Sequence, residues 1–120
     1  MPASVARNSF FGNPKAAFGD GLFKQSVMRV SGLDPAKTYN FCYYGSRGAT
    51  AETRQTKYIT KGQNEAVAYL FTGNNSSNIA CTNGIKPDAS GNIFITVTAG
   101  EANDNANGFY YLTAMRITVQ

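Results

Sequence analysis

The side chains able to do acid–base work are seven carboxylates: Asp20, Asp34, Glu52, Glu65, Asp88, Glu101 and Asp104. Glycoside hydrolysis needs two of them facing each other across a cleft at a fixed separation. Only Glu52 with Asp104 or Glu101 could share one rim, and a chain of 120 residues has little room for a deep cleft. Histidine is absent, which removes Ser-His-Asp and Cys-His nucleophile pairs, His-ligated zinc or iron, and an imidazole pH switch. The residues therefore point away from an enzyme. Glu101, Asn103 and Asp104 offer the hard oxygens that calcium takes, without EF-hand spacing and with a short ligand count. They are the one candidate for a structural cation, and no other cofactor is implied. Cys42 and Cys81 form an even pair on separate expected strands. In an oxidising compartment they could bridge sheets or neighbouring strands; in a reducing one they would be small buried apolar groups.

Elements must position these groups, and the composition says which kind. The chain is 42% hydrophobic and only 15% charged, so its solubility rests on Asn, Thr, Ser, Gln and Gly. Short runs rich in β-branched and aromatic residues recur at 24–31, 38–45, 53–60, 66–72, 78–82, 92–98 and 109–119, separated by Gly/Asn/Pro turns. This pattern predicts an all-β fold: a single antiparallel β-sandwich, jelly-roll-like, of about seven or eight strands. Residues 1–21 read as an extended arm of the same domain and 22–120 as the sandwich module. No run of about eighteen apolar residues occurs, so no membrane-spanning helix is expected. The first residues carry no secretory signal pattern, so in an exported protein the chain would be a mature form or a module of something larger. Net charge is +4, but the eleven basic residues are spread singly with no two adjacent, whereas nucleic-acid binding usually shows a stripe or cluster.

Three segments together carry a family likeness. They are Val30-Ser31-Gly32-Leu33-Asp34-Pro35-Ala36-Lys37-Thr38-Tyr39-Asn40-Phe41 ending in Tyr44-Gly45-Ser46-Arg47, then Pro87-Asp88-Ala89-Ser90-Gly91-Asn92-Ile93 with Ile95-Thr96-Val97, and Gly108-Phe109-Tyr110-Tyr111-Leu112-Thr113-Ala114-Met115-Arg116-Ile117. The set resembles the non-catalytic galactose-binding-like or carbohydrate-binding β-sandwich modules attached to secreted polysaccharide-degrading enzymes and esterases of Bacteroidetes-type bacteria. The resemblance implies a polysaccharide or oligosaccharide partner, a covalently linked catalytic domain in the parent protein, and an extracellular, cell-surface or periplasmic setting. It identifies no binding residue. The rival readings are a purely structural spacer of the same fold and, behind it, a basic nucleic-acid binder.

Strand alternation sorts residues by face and predicts a core of Tyr39, Phe41, Tyr69, Phe71, Ile93, Ile95, Val97, Met115 and Ile117. If successive strands alternate in direction, the connections at 46–52, 73–77 and 99–108 gather at one end. There Arg47, Arg54, Asn75, Asp104 and Asn105 could exchange hydrogen bonds with sugar hydroxyls. Tyr44 and Tyr110, off the core face by parity, could cover the apolar C–H face of a ring. A sheet face with residues such as Lys57 and Arg116 is the alternative location.

Overall fold

The computed structural model describes residues 10–18, 21–23, 25–48, 53–106 and 108–120, and every regular element among them is a strand. The strands are β1 (Phe10–Phe18), β2 (Gly21–Phe23), β3 (Ser26–Val30), β4 (Tyr39–Tyr44), β5 (Gln55–Lys61), β6 (Glu65–Phe71), β7 (Ala80–Ile85), β8 (Ile93–Ala99), β9 (Tyr110–Leu112) and β10 (Ala114–Val119). A four-stranded sheet, β3-β8-β5-β6, faces a three-stranded one, β10-β4-β7. A smaller sheet, β2-β1-β9, continues the second through the β9–β10 chain path, which Thr113 interrupts by donating its amide to the Tyr44 carbonyl. All these strand pairings are antiparallel. From β3 onward the chain changes sheet at every connection except the β5–β6 hairpin. Two antiparallel sheets facing each other in this way form a β-sandwich, as the turn spacing predicts. Within the expected arm, residues 1–9 and 19–20 lie outside the described residues, and 10–18 form β1.

The connections do alternate between the two ends. At one end Leu33 bonds Gly91 and Gln63 bonds Lys86 through backbone groups. At the other, the loops after β4, β6 and β8 are stitched together by Arg47 N–H to Thr72 O, Asn74 N–H to Arg47 O, Gly100 N–H to Gln55 O and Asp104 N–H to Thr53 O. Residues 49–52, with Glu52, lie outside the described part.

Between the sheets, Tyr39, Phe41 and Tyr43 of β4 meet Tyr58 of β5 and Ile93, Ile95 and Val97 of β8. The Tyr43 and Tyr58 rings stack in parallel with centroids 4.5 Å apart. Threonines fill the remaining inward positions and close a buried hydroxyl chain, Tyr43–Thr60 at 2.6 Å and Thr60–Thr82 at 2.8 Å. Tyr58 donates to the Tyr111 carbonyl at 2.6 Å. Burial disfavours the phenolate and pushes Tyr43 up to about 12, against the lowering by Thr60 and Thr82, and raises Tyr58 as well.

Two expected core residues are not in the core. Tyr69 and Phe71 are 44% and 57% exposed, and β6 instead turns Ala66, Ala68 and Leu70 inward. The cause is volume: Tyr58 lies directly opposite Ala68, so the large ring of β5 takes the space that a large β6 side chain would need. Met115 and Ile117 pack against the core but stay partly exposed, because β10 is an edge strand of its sheet.

Cys42 and Cys81 are directly opposite on β4 and β7 and are joined in a disulfide, with Cα atoms 4.1 Å apart. The bridge links neighbouring strands and lies on the outward side, where Cys81 is exposed.

Candidate functional site

The loop rim exists, but its expected sugar contacts are largely consumed by the fold. Tyr44 is 4% exposed, and its hydroxyl donates to the carbonyls of Asn75 and Ser76 at 3.2 and 3.3 Å. The β6–β7 connection folds over the face that parity alone would leave open. Tyr110 has no exposed surface; its hydroxyl meets Ser26 Oγ at 3.0 Å. Its ring lies so close to Gly12 that a Cβ there would sit 2.0 Å from ring atoms, so β1 covers it. Neither ring can serve as a stacking platform.

The amides serve the backbone in the same way. Asn75, 8% exposed, donates to the Gly45 and Asn78 carbonyls and accepts from Asn78 N–H. Asn105 is buried and accepts from Phe109 N–H. Arg54 is half-buried, donates to the Tyr111 hydroxyl and stands 5.2 Å over the Phe109 ring. Of the seven expected sugar contacts, Arg47 and Asp104 alone have exposed side chains, and Asp104 Oδ1 accepts from Thr53 N–H.

The calcium candidates do not converge. Buried Asn103 donates to Gln55 and Phe109 carbonyls and accepts from Asn105 N–H, whereas the Glu101 carboxylate pairs with Lys57 Nζ at 2.9 Å. That ammonium holds the Glu101 carboxyl below its usual range. Among the described residues no group of three acidic or cysteine side chains could hold a metal.

What the fold leaves open is the outward face of β3-β8-β5-β6. The register lays its side chains out in rows across the strands. Arg29, Phe94, Lys61 and Glu65 form one row, and Val27, Thr96, Ile59 and Val67 the next. Thr98, Lys57 and Tyr69 follow, and Gln55 with Phe71 ends the series beside the rim. From Lys61 to Gln55 is six residues of β5, or roughly 20 Å at the strand rise. Exposed apolar groups recur along it: Phe94 at 40%, Val67 at 43%, and Val27 at 57%, besides Tyr69 and Phe71. Lys57 Nζ lies 5.8 Å from the Tyr69 ring centroid. The face thus alternates rings and aliphatic groups with hydroxyl, amide and ammonium groups.

Lys57 belongs to this face, but Arg116 does not: it projects from the outer side of the opposite sheet. There it borders a shallow apolar hollow of about 210 Å³ lined also by Cys42, Tyr43, Tyr44, Ile79, Ala114 and Met115. Searches against protein-family models, curated proteins and solved structures find no match to the chain.

Proposed function

We propose that this domain is a non-catalytic carbohydrate-binding module that holds a linked enzyme near polysaccharide, and that glycan meets the outward face of β3-β8-β5-β6. The observation that carries the reading is the pair Tyr69 and Phe71, solvent-facing on one edge strand and flanked across it by Lys57 and Gln55. A sugar ring has an apolar C–H face and a hydroxyl perimeter, so it is matched by an aromatic surface bordered by hydrogen-bonding groups. The likeness of the three sequence segments to such modules supports the same class. The disulfide fits an exported protein, since such bridges persist in oxidising compartments.

Affinity electrophoresis and calorimetry against a panel of plant and microbial glycans test the proposal. Tyr69→Ala and Phe71→Ala are each expected to cost roughly 1–3 kcal/mol of binding, on the scale of aromatic stacking with a nucleobase. Tyr44→Phe, which alters a buried hydroxyl, is expected to leave binding unchanged. Silence of the parent protein across the whole panel would favour the spacer reading.

A further inference from the structure

The far end of the same face carries a feature that a neutral sugar would not use. Phe94 on β8 pairs in register with Arg29 on β3 and with Lys61 on β5. Directly opposed residues on antiparallel strands have Cβ atoms about 4.5–5.5 Å apart, so an exposed ring is bracketed by two cations. Arg29 and Lys61 are both exposed, and neither has an ion-pair partner among the described residues. Lys57, two rows away from them on β5, differs: Glu101 neutralises it. Glu65 is the only carboxylate in the bracketed row; it sits beyond Lys61 on β6, three strands from Arg29.

Hydroxyl groups can be bound by amides, threonines or backbone carbonyls at little cost. Two cations flanking one ring, neither in an ion pair among the described residues and with Glu65 opposite Lys61 alone, are suited to something else: a saccharide whose ring stacks while its anionic substituent lies between a guanidinium and an ammonium. Charge-assisted bonds of this kind are roughly twice as strong as neutral ones, and guanidinium can engage a carboxylate through two parallel N–H groups.

Resting on the glycan-binding reading above, we infer that the ligand of this face is an anionic polysaccharide, and that the Arg29–Phe94–Lys61 row is the subsite for its acidic residue. A carboxylate and a sulfate ester share the chemistry, so the probes must separate them. The chain of such a polymer runs along the face from this row toward Tyr69 and Phe71.

The test compares polygalacturonate with its methyl-esterified form, and dextran sulfate with dextran, by calorimetry on the intact chain at several salt concentrations. The expected result is binding of one anionic polymer about tenfold or more tighter than its neutral counterpart, weakening as salt rises. Arg29→Gln and Lys61→Gln should each lower that affinity several-fold and flatten the salt dependence, while Lys86→Gln, at the same end but off the sheet face, should not. Equal affinity for the charged and neutral members of each pair would overturn the inference and leave the glycan-binding reading standing. Silence on all four polymers and on the wider panel would remove both. The subsite would also be refuted if a duplex or single-stranded oligonucleotide bound more tightly than any acidic glycan. So would a dimer in sedimentation equilibrium that Phe71→Ala dissociates, because a second copy would then cover the face.

Discussion

Removing the cross-strand disulfide gives the most quantitative check on how this sandwich is held. In the double variant Cys42→Ala/Cys81→Ala the lost bridge joins residues 39 apart in sequence. For a loop of that length the chain-entropy model gives a constant of about 0.6 kcal/mol plus about 3.3 kcal/mol for loop closure, or about 3.9 kcal/mol at 25 °C. A cavity adds little, because Cys81 is exposed and Cys42 is only partly buried. The expected loss is therefore about 3–4 kcal/mol, a large share of the 5–15 kcal/mol typical of a domain. Urea unfolding followed by circular dichroism reads it as a lower midpoint, and thiol titration of the denatured, unreduced parent should find no free cysteine. Below its unfolding midpoint the variant should still bind glycan, since the bridge lies on the sheet opposite the proposed site. A loss under about 1 kcal/mol would refute the reasoning, because it would mean that the unbridged denatured chain keeps β4 and β7 together without the bond.

Asn75→Ala should destabilise by about 2–3 kcal/mol in the same assay, since it orphans the Gly45 and Asn78 carbonyls and the Asn78 amide in a mostly buried turn. Alkali should unfold the protein from about pH 10 upward. Tyr43 has its folded value raised to about 12 and Tyr58 is raised too. The stability they contribute is whole below the unfolded phenol value and is lost as pH rises through the folded values. Each steepens the decline by roughly 1.4 kcal/mol per pH unit in that window. Absorbance titration at the phenolate band should show these two rings ionising together with the loss of circular dichroism, and their ionisation in a still-folded protein would contradict the packing.

The sandwich was legible because turn residues and β-branched runs act locally. Gly32 and Gly91 mark turns by their positive φ, and the alternating Ile93, Ile95 and Val97 are fully buried. The alternation of loops between the two ends was legible for the same reason, since each hairpin or crossover reverses the chain. Tyr44 and Tyr110 were not, because strand parity says which way a side chain leaves its own sheet and nothing about what covers it. Tyr44 is covered by the β6–β7 connection, and Tyr110 by Gly12 of β1, both far away in sequence.

The error at β6 is of another kind, and the sequence held what was needed to avoid it. Val67, Tyr69 and Phe71 form the more apolar of the two β6 stripes, so hydrophobicity alone turns them inward. The β5–β6 hairpin argues the other way. Its three-residue turn at 62–64 pairs Lys61 with Glu65, and charged Lys57 and Lys61 mark the outer face of β5. Residues opposite each other across a sheet share a face, so Glu65 outward forces Val67, Tyr69 and Phe71 outward with it. That leaves Ala66 and Ala68 to face the core, where the Tyr58 and Tyr43 rings already fill the volume. Turning Tyr69 and Phe71 inward would overfill that space, and turning Lys61 inward would bury a charge without a partner. The exposed aromatic stripe is thus what remains when the hairpin register and the large core rings are both satisfied. Polar substitution of Tyr69 or Phe71 should cost the fold little, so a loss of glycan binding in those variants would report on the surface itself.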